Sequence, residues 1–533
     1  MQIMTYVPYG SNGILIKVET DLRRGIPGMD ITGLAEGAVR EARERVRASF
    51  RNSGFMLPPD RILINLAPAG VRKDGAALDL PIAISLMAAA GLIPGSTAIT
   101  IPIMVLGELE LSGTLRPVRG VLAATDAARK AGINDFLVPA ANAEEASILA
   151  AGHFAGVQSL AEAVAAIIYR TANGSWPQNS KTPATENAVD AVAVYACFSE
   201  VVGQERYKRV MELAATGGHN VLVFGPPGAG KTMLARRLPS IMPRLEINEA
   251  VEVSRLHSLA GLYRNGLIRQ PPFRAPHHSS SAEGILGGGK MVRPGEISLA
   301  HFGTLFLDEA PEFRVNVLQA LREPLEDTVI TISRAESAVQ MPADFQLVLA
   351  ANPCPCGRLG MQRSEGALPS SFAFANMSAG DCYCSPQEIQ RYWRKFGAAL
   401  LDRIELRIPV NQSKPQNFLN TGSEKSEVIA IRVQEALARQ QLRFEGSGIR
   451  RNARIPPSLL QKMCPMTAQA EEIFSQVTVR LGLSGRGVHG VVRVARTIAD
   501  LEGKNRLEPN HILEAVQHRR LGDDPYDILS NND

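Results

Sequence analysis

Short aliphatic runs alternate along this chain with stretches whose apolar positions recur every three or four residues, a pattern that predicts strands and helices in alternation. In residues 1–172, GILIKVET and RILINLAP read as strands and EGAVREARERVRASF as a helix, together a compact α/β domain. The longest apolar run is LPIAISLMAAAGLIP, Leu80 to Pro94. Asp79 before it, prolines at both ends and its short span predict a buried helix and no membrane crossing. Periodicity then lapses in TANGSWPQNSKTPATENA, whose Ser, Thr, Asn, Pro and Gly predict an exposed linker over 173–188. A second α/β region is expected over 189–412. There NVLVF, TLFLDE and FQLVLAAN are near-continuous apolar runs, as in a parallel sheet covered on both faces. The rest, 413–533, reads as helical, with EKSEVIAIRVQEALARQQLRF and GVVRVARTIADLEG carrying helical spacing. Asn510, after Pro509, stands where a helix cap is expected.

Composition adds limits to this picture. A chain of 533 residues exceeds what one core normally fills, which agrees with the segmented pattern. A formal net charge of +4 confines any nucleic-acid surface to a local patch. The N-terminus, MQIMTYVPYGSNG, has no basic start followed by an apolar run, so no export signal is read and a cytoplasmic location is expected.

The chemistry is concentrated between the predicted strands. Gly225, Pro226, Pro227, Gly228, Ala229, Gly230, Lys231 and Thr232 spell GPPGAGKT between the run NVLVF and the helical MLARRL. Glycines let successive backbone N–H groups wrap a phosphate at a helix start. Lys231 then supplies a point charge to the outer phosphates of ATP, and the Thr232 hydroxyl a ligand to Mg2+. In TLFLDEA, an apolar run delivers Asp308 and Glu309 to a strand end, where Asp308 would hold the magnesium and Glu309 would activate water. FQLVLAAN ends in Asn352, placed either to sense the γ-phosphate or simply to turn the chain before Pro353.

Taken together, GPPGAGKTMLARRLPSIMP, FRAPHHSSS, RPGEISLAHFGTLFLDEAPEF, LQALREPLED and ALLDRIEL resemble the magnesium-chelatase-like branch of AAA+ ATPases, and within it the ComM/YifB family. PGMDITGLAEGAVREARERVRASF and NLAPAGVRKDGAALDLPIA extend the resemblance to the N-terminal region. It implies a P-loop AAA+ core with a C-terminal helical lid, preceded by a Lon-protease-like α/β domain. It also implies that Arg403 in LLDRIEL is an arginine finger reaching a neighbouring subunit. Arg486 in LSGRGVHG matches the second sensor, with Arg493 and Arg496 as competing candidates. A homo-hexameric ring follows from the same resemblance. So does an ATP-driven DNA helicase that promotes branch migration of recombination intermediates in natural transformation, acting on single-stranded or branched DNA and beside recombination proteins. The rival reading is a MoxR- or chelatase-like ATPase that remodels a protein partner.

Three further expectations concern residues around this core. RKDGAALD is similar to the Lon proteolytic site, yet Ala77 stands where the Ser would be and Leu122 where the Lys would be. The domain therefore reads as proteolytically dead, with Lys73 as a surface charge. Cys354 and Cys356, with Cys382 and Cys384, form two C-x-C pairs, which suit either a structural zinc or unligated reduced thiols. Arg274, His277, His278, Lys290, Arg293 and Arg334, on two candidate pore segments, offer cations to a DNA backbone.

Overall fold

A computed structural model describes residues 1–533 apart from 12, 35, 69–72, 74–75, 97–100, 150–152, 178–195, 264–265, 290–291, 334–337, 360–381, 412–422 and 521–533. Lys290, Arg334, most of the linker segment and the interior of the cysteine insert thus lie outside the described residues. The N-terminal region contains strands β1 (Gln2–Val7), β2 (Ile14–Arg23), β3 (Gly28–Thr32), β4 (Arg61–Ala67), β5 (Pro102–Val105), β6 (Glu108–Leu109), β7 (Leu115–Arg116), β8 (Asp135–Pro139) and β9 (His153–Val157). Seven of them form one mixed sheet in the order β3-β4-β2-β1-β5-β8-β9, and β6 with β7 makes a short separate ribbon. Period-two alternation divides the sheet's residues between two cores. Ile3 and Val7 face one core, while Met4 and Tyr6 face the other.

The apolar helix Asp79–Ala89 is buried from Asp79 to Met87, as its composition predicts. Asp79 enters the core because Arg45 meets it with two bonds, Nε to Oδ2 at 2.6 Å and Nη2 to Oδ1 at 3.2 Å. Burial still lifts the carboxyl to about 6 against the pull of that guanidinium. Arg45→Ala would strand a buried carboxylate, a loss of about 3–5 kcal/mol when one partner of a buried pair is removed. Chemical unfolding should therefore show an early transition of this domain, whereas Arg45→Lys should retain part of the stability.

Three sequence readings need correction. Lys73, read as a surface charge, is buried, and its ammonium donates to the Pro68 carbonyl. A lysine is far more often exposed than buried, so only the fold could reveal this. The polar segment read as linker begins inside the helix Leu160–Asn173, and Trp176 beyond it is buried with its indole N–H on Asp135 at 3.0 Å. Asn510 is no cap: the helix starts at Pro509, and His511 reaches back to accept the Glu508 amide at 2.9 Å.

The central region contains β10 (Val221–Phe224), β11 (Phe273–Arg274), β12 (Thr304–Leu307), β13 (Val329–Ser333), β14 (Ala338–Pro342), β15 (Gln346–Ala351) and β16 (Leu406–Pro409). Five form an all-parallel sheet in the order β11-β12-β15-β10-β16, and β13 with β14 makes an antiparallel hairpin. Both faces are covered, which explains the continuous apolar runs: Val221 and Val223 pack into one core, Leu222 and Phe224 into the other. Helices Ser426–Phe444 and Gly485–Leu501 contribute Val433, Val491 and Ile498 to the first of these cores, so the C-terminal helices share it with the sheet.

The two α/β regions meet along helices Val121–Lys130 and Ile247–Ala260. Arg255 pairs with Asp126 at 3.0 Å, Ser258 donates to the buried Glu145, and Leu259 joins the core of the N-terminal region. Among the described residues no helix is long and apolar enough to cross a membrane.

Candidate nucleotide site

The loop 225–230 leaves β10 at the carboxyl edge of the parallel sheet, the edge where ligands bind in such folds. Gly225 is required by close approach, since a Cβ there would lie 2.0 Å from the Val410 carbonyl oxygen. Gly228 and Gly230 take φ of +76° and +82°, which turns successive amides toward one concavity.

Lys231 begins the next helix and folds back over this loop. Its ammonium donates to the Gly225 and Pro226 carbonyls at 2.7 and 2.9 Å and to Asn352 Oδ1 at 3.1 Å. Burial lowers its pKa, while Asp308 and Glu309 oppose that shift. Asn352 reaches the loop because β15 lies between β12 and β10 and ends just before it. The Thr232 hydroxyl donates to Asp308 Oδ2 at 2.6 Å, so two oxygen donors from different elements stand side by side. This hard-oxygen pair fits a magnesium ion that keeps several waters.

Glu309 follows Asp308 with φ of +49°, a left-handed conformation unusual for a residue with a side chain. The turn swings its carboxylate to within 3.6 Å of His278 Nδ1. His278, counted among the DNA-facing cations, therefore sits at the acidic pair, against His277 with ring centroids 4.1 Å apart and the rings tilted by 34°. Arg274 is also removed from that set, because Glu296 takes both its Nε and Nη2, at 2.6 and 2.7 Å. His277 and Arg293 remain exposed.

Arg403 and Arg486 come together on one carboxylate, Glu326. Those two guanidinium groups, Arg403 first, hold Glu326 below the usual carboxylate range. The competing arginines are engaged inside the helical region: Arg493 donates to the Ile455 carbonyl, and Arg496 is buried against Asp500. The four paired cysteines also converge, with all four sulfurs within 4.8 Å of one another.

Sequence reading did not single out Glu326, Tyr207 or Gln204. Tyr207 donates its buried hydroxyl to the Lys231 carbonyl at 3.0 Å, and Gln204 donates to the Asn411 carbonyl at 2.6 Å. Each acts from a distant segment, and local pattern carries no signal for it.

A parallel sheet with a lysine-bearing glycine loop, an acidic pair one strand removed across β15 and a helical lid defines a P-loop ATPase of the AAA+ class. Comparison with known families narrows this. Residues 197–418 match magnesium chelatase, subunit ChlI; residues 18–142 match subunit ChlI of Mg-chelatase; and residues 423–519 match the ChlI C-terminal family. The chain is 36% identical to competence protein ComM of Haemophilus influenzae over 521 residues, covering 96% of both chains. It is 35% identical to the uncharacterized protein YifB of Escherichia coli, covering 97% of both. Over 181 residues it is 26% identical to Lon protease 2 of Bacillus subtilis, covering 30% of this chain and 33% of that one. The chain belongs to the ComM/YifB family of magnesium-chelatase-like AAA+ ATPases, with a Lon-like N-terminal region.

Proposed function

We propose that this ATPase is a cytoplasmic, hexameric DNA translocase that drives branch migration of recombination intermediates during natural transformation. The relation to a competence protein over 96% of both chains carries the choice of DNA as substrate. The grouped Lys231, Thr232, Asp308, Glu309 and Asn352 support the motor chemistry.

In this reading the loop amides and Lys231 bind the triphosphate, and Lys231 exchanges its bonds to Gly225, Pro226 and Asn352 for phosphate oxygens. Thr232 and Asp308 would hold magnesium, which neutralises phosphate charge when bound. Glu309 orients the attacking water and accepts its proton. Asn352 reads whether the outer phosphate is present and relays this along β15. Arg403, and Arg486 beside it, leave Glu326 to meet the nucleotide of an adjacent subunit. The Lon-like domain lacks both groups of a Ser/Lys dyad, with Ala77 half-buried and Leu122 fully buried at those positions. It serves assembly or substrate contact, held to the motor through Asp126, Glu145 and the Ile247–Ala260 helix.

ATP turnover should rise with single-stranded or forked DNA, and a labelled three- or four-stranded junction should be resolved only in hydrolysable nucleotide. Both effects should fall steeply with salt, because phosphate contacts release counterions. Rings that hydrolyse ATP yet ignore DNA and leave junctions intact would favour remodelling of a protein partner.

A further inference from the structure

We propose that Cys354, Cys356, Cys382 and Cys384 bind one zinc ion as a tetrathiolate, and that this centre fixes Asn352 against the phosphate loop so that zinc content sets ATP turnover. The coupling half rests on Asn352 acting in hydrolysis; the metal half stands on the cysteines alone.

The sulfur geometry distinguishes a metal from a disulfide. Cys354 Sγ lies 3.3 Å from Cys356 Sγ and 3.6 Å from Cys382 Sγ, and Cys356 and Cys382 are 3.6 Å apart. Zn–S bonds of ~2.3 Å directed to the corners of a tetrahedron put sulfurs about 3.8 Å apart. A disulfide needs about 2.05 Å, which none of these pairs approaches. Four soft ligands in that arrangement select zinc or iron over magnesium or calcium. Binding replaces the thiol protons, which pass to solvent.

The backbone around the sulfurs is also built for a fixed turn. Cys354 is fully buried, and its carbonyl accepts the Gly357 amide at 3.0 Å. Gly357 takes φ of +77°, and a Cβ there would meet Pro227 of the phosphate loop at 3.0 Å. The cysteine turn therefore packs directly on the loop that Lys231 closes. On the other side, Cys384 immediately precedes Ser385, the cap of helix Pro386–Arg394. Trp393 of that helix donates to the Pro353 carbonyl at 3.0 Å. One ion would thus tie the end of β15, the phosphate loop and this helix together, with Asn352 two residues from the first ligand. Cys382 and Cys384 also pack against the core that holds Cys354, so the apolar contacts and the Trp393 bond bring the sulfurs together and the ion would lock them.

Metal analysis of full-length protein purified without chelator should find one zinc per chain, and cobalt substitution should give the visible bands of tetrahedral thiolate coordination. Cys356→Ser and Cys384→Ser should each lose the zinc and bind ATP nearly as before. Their turnover should fall about 10- to 100-fold, the usual cost of misplacing an active-site group by an ångström. Asn352→Ala should lose a similar factor, and combining it with Cys356→Ser should add little. Should either cysteine variant fail to fold, stripping wild-type protein with chelator replaces it: magnesium alone should not restore turnover, whereas magnesium with zinc should. Protein without stoichiometric zinc, an iron chromophore, or full turnover after zinc loss would each overturn the proposal. Failure of the motor reading is separate, since wild-type protein would then lack turnover while its zinc content still reported on the cysteines.

Discussion

Arg403→Ala is expected to assemble like the wild type yet hydrolyse ATP roughly 10³- to 10⁵-fold more slowly, the range attributed to an arginine finger. The fold itself should tolerate the change. Arg403, itself only 11% exposed, donates to the Ala399 carbonyl at 2.7 Å and meets Glu326, which is 48% exposed; a pair with one end in water contributes on the order of 1 kcal/mol. Glu326 would also keep Arg486 as a partner at 2.7 Å. A loss of several kcal/mol in the barrier cannot come from that pair, so it would have to come from the reaction. Mixing supplies a sharper readout. Rings of Arg403→Ala subunits and rings of Lys231→Ala subunits should each be inactive. Mixed rings should regain part of the activity, because some sites then combine an intact Lys231 with a neighbour's intact Arg403. No recovery on mixing, with co-assembly shown by light scattering, would place Arg403 in the site of its own subunit or outside catalysis.

Glu309→Gln should bind ATP with nearly unchanged affinity and turn it over roughly 10²- to 10⁴-fold more slowly, the usual contribution of a positioned general base. Affinity is preserved because Lys231, Thr232 and Asp308 keep their contacts, and Gln matches Glu in shape at a backbone of φ +49°. The amide cannot accept the water's proton and forms no ion pair with His278. Binding of a fluorescent nucleotide, beside phosphate release, separates the two effects. Normal hydrolysis by this variant would remove Glu309 from the water-activating role.

How much of this was legible in the residues depends on the range of each interaction. Val221–Phe224, Thr304–Leu307 and Gln346–Ala351 could be read as buried parallel strands because continuous apolar runs need cover on both faces. The glycine loop could be read because its backbone demands are local: φ is positive at Gly228 and Gly230. The acidic pair and Asn352 were placed by the strands that carry them. Arginine candidates were not separable by spacing. Arg486, Arg493 and Arg496 lie within a few turns of one helix, and only packing shows that Arg496 is buried against Asp500 while Arg486 faces out.

Residue order and local chemistry therefore determined the strands, the helices and the phosphate loop, since each depends on neighbours a few positions away. Three-dimensional packing decided the rest: Lys73 inside, Arg274 on Glu296, His278 at Glu309, Arg403 and Arg486 on one carboxylate, and four sulfurs together. Those meetings join residues far apart in the chain. Desolvation and charge pairing, which local pattern does not encode, select among the partners that the fold brings within reach.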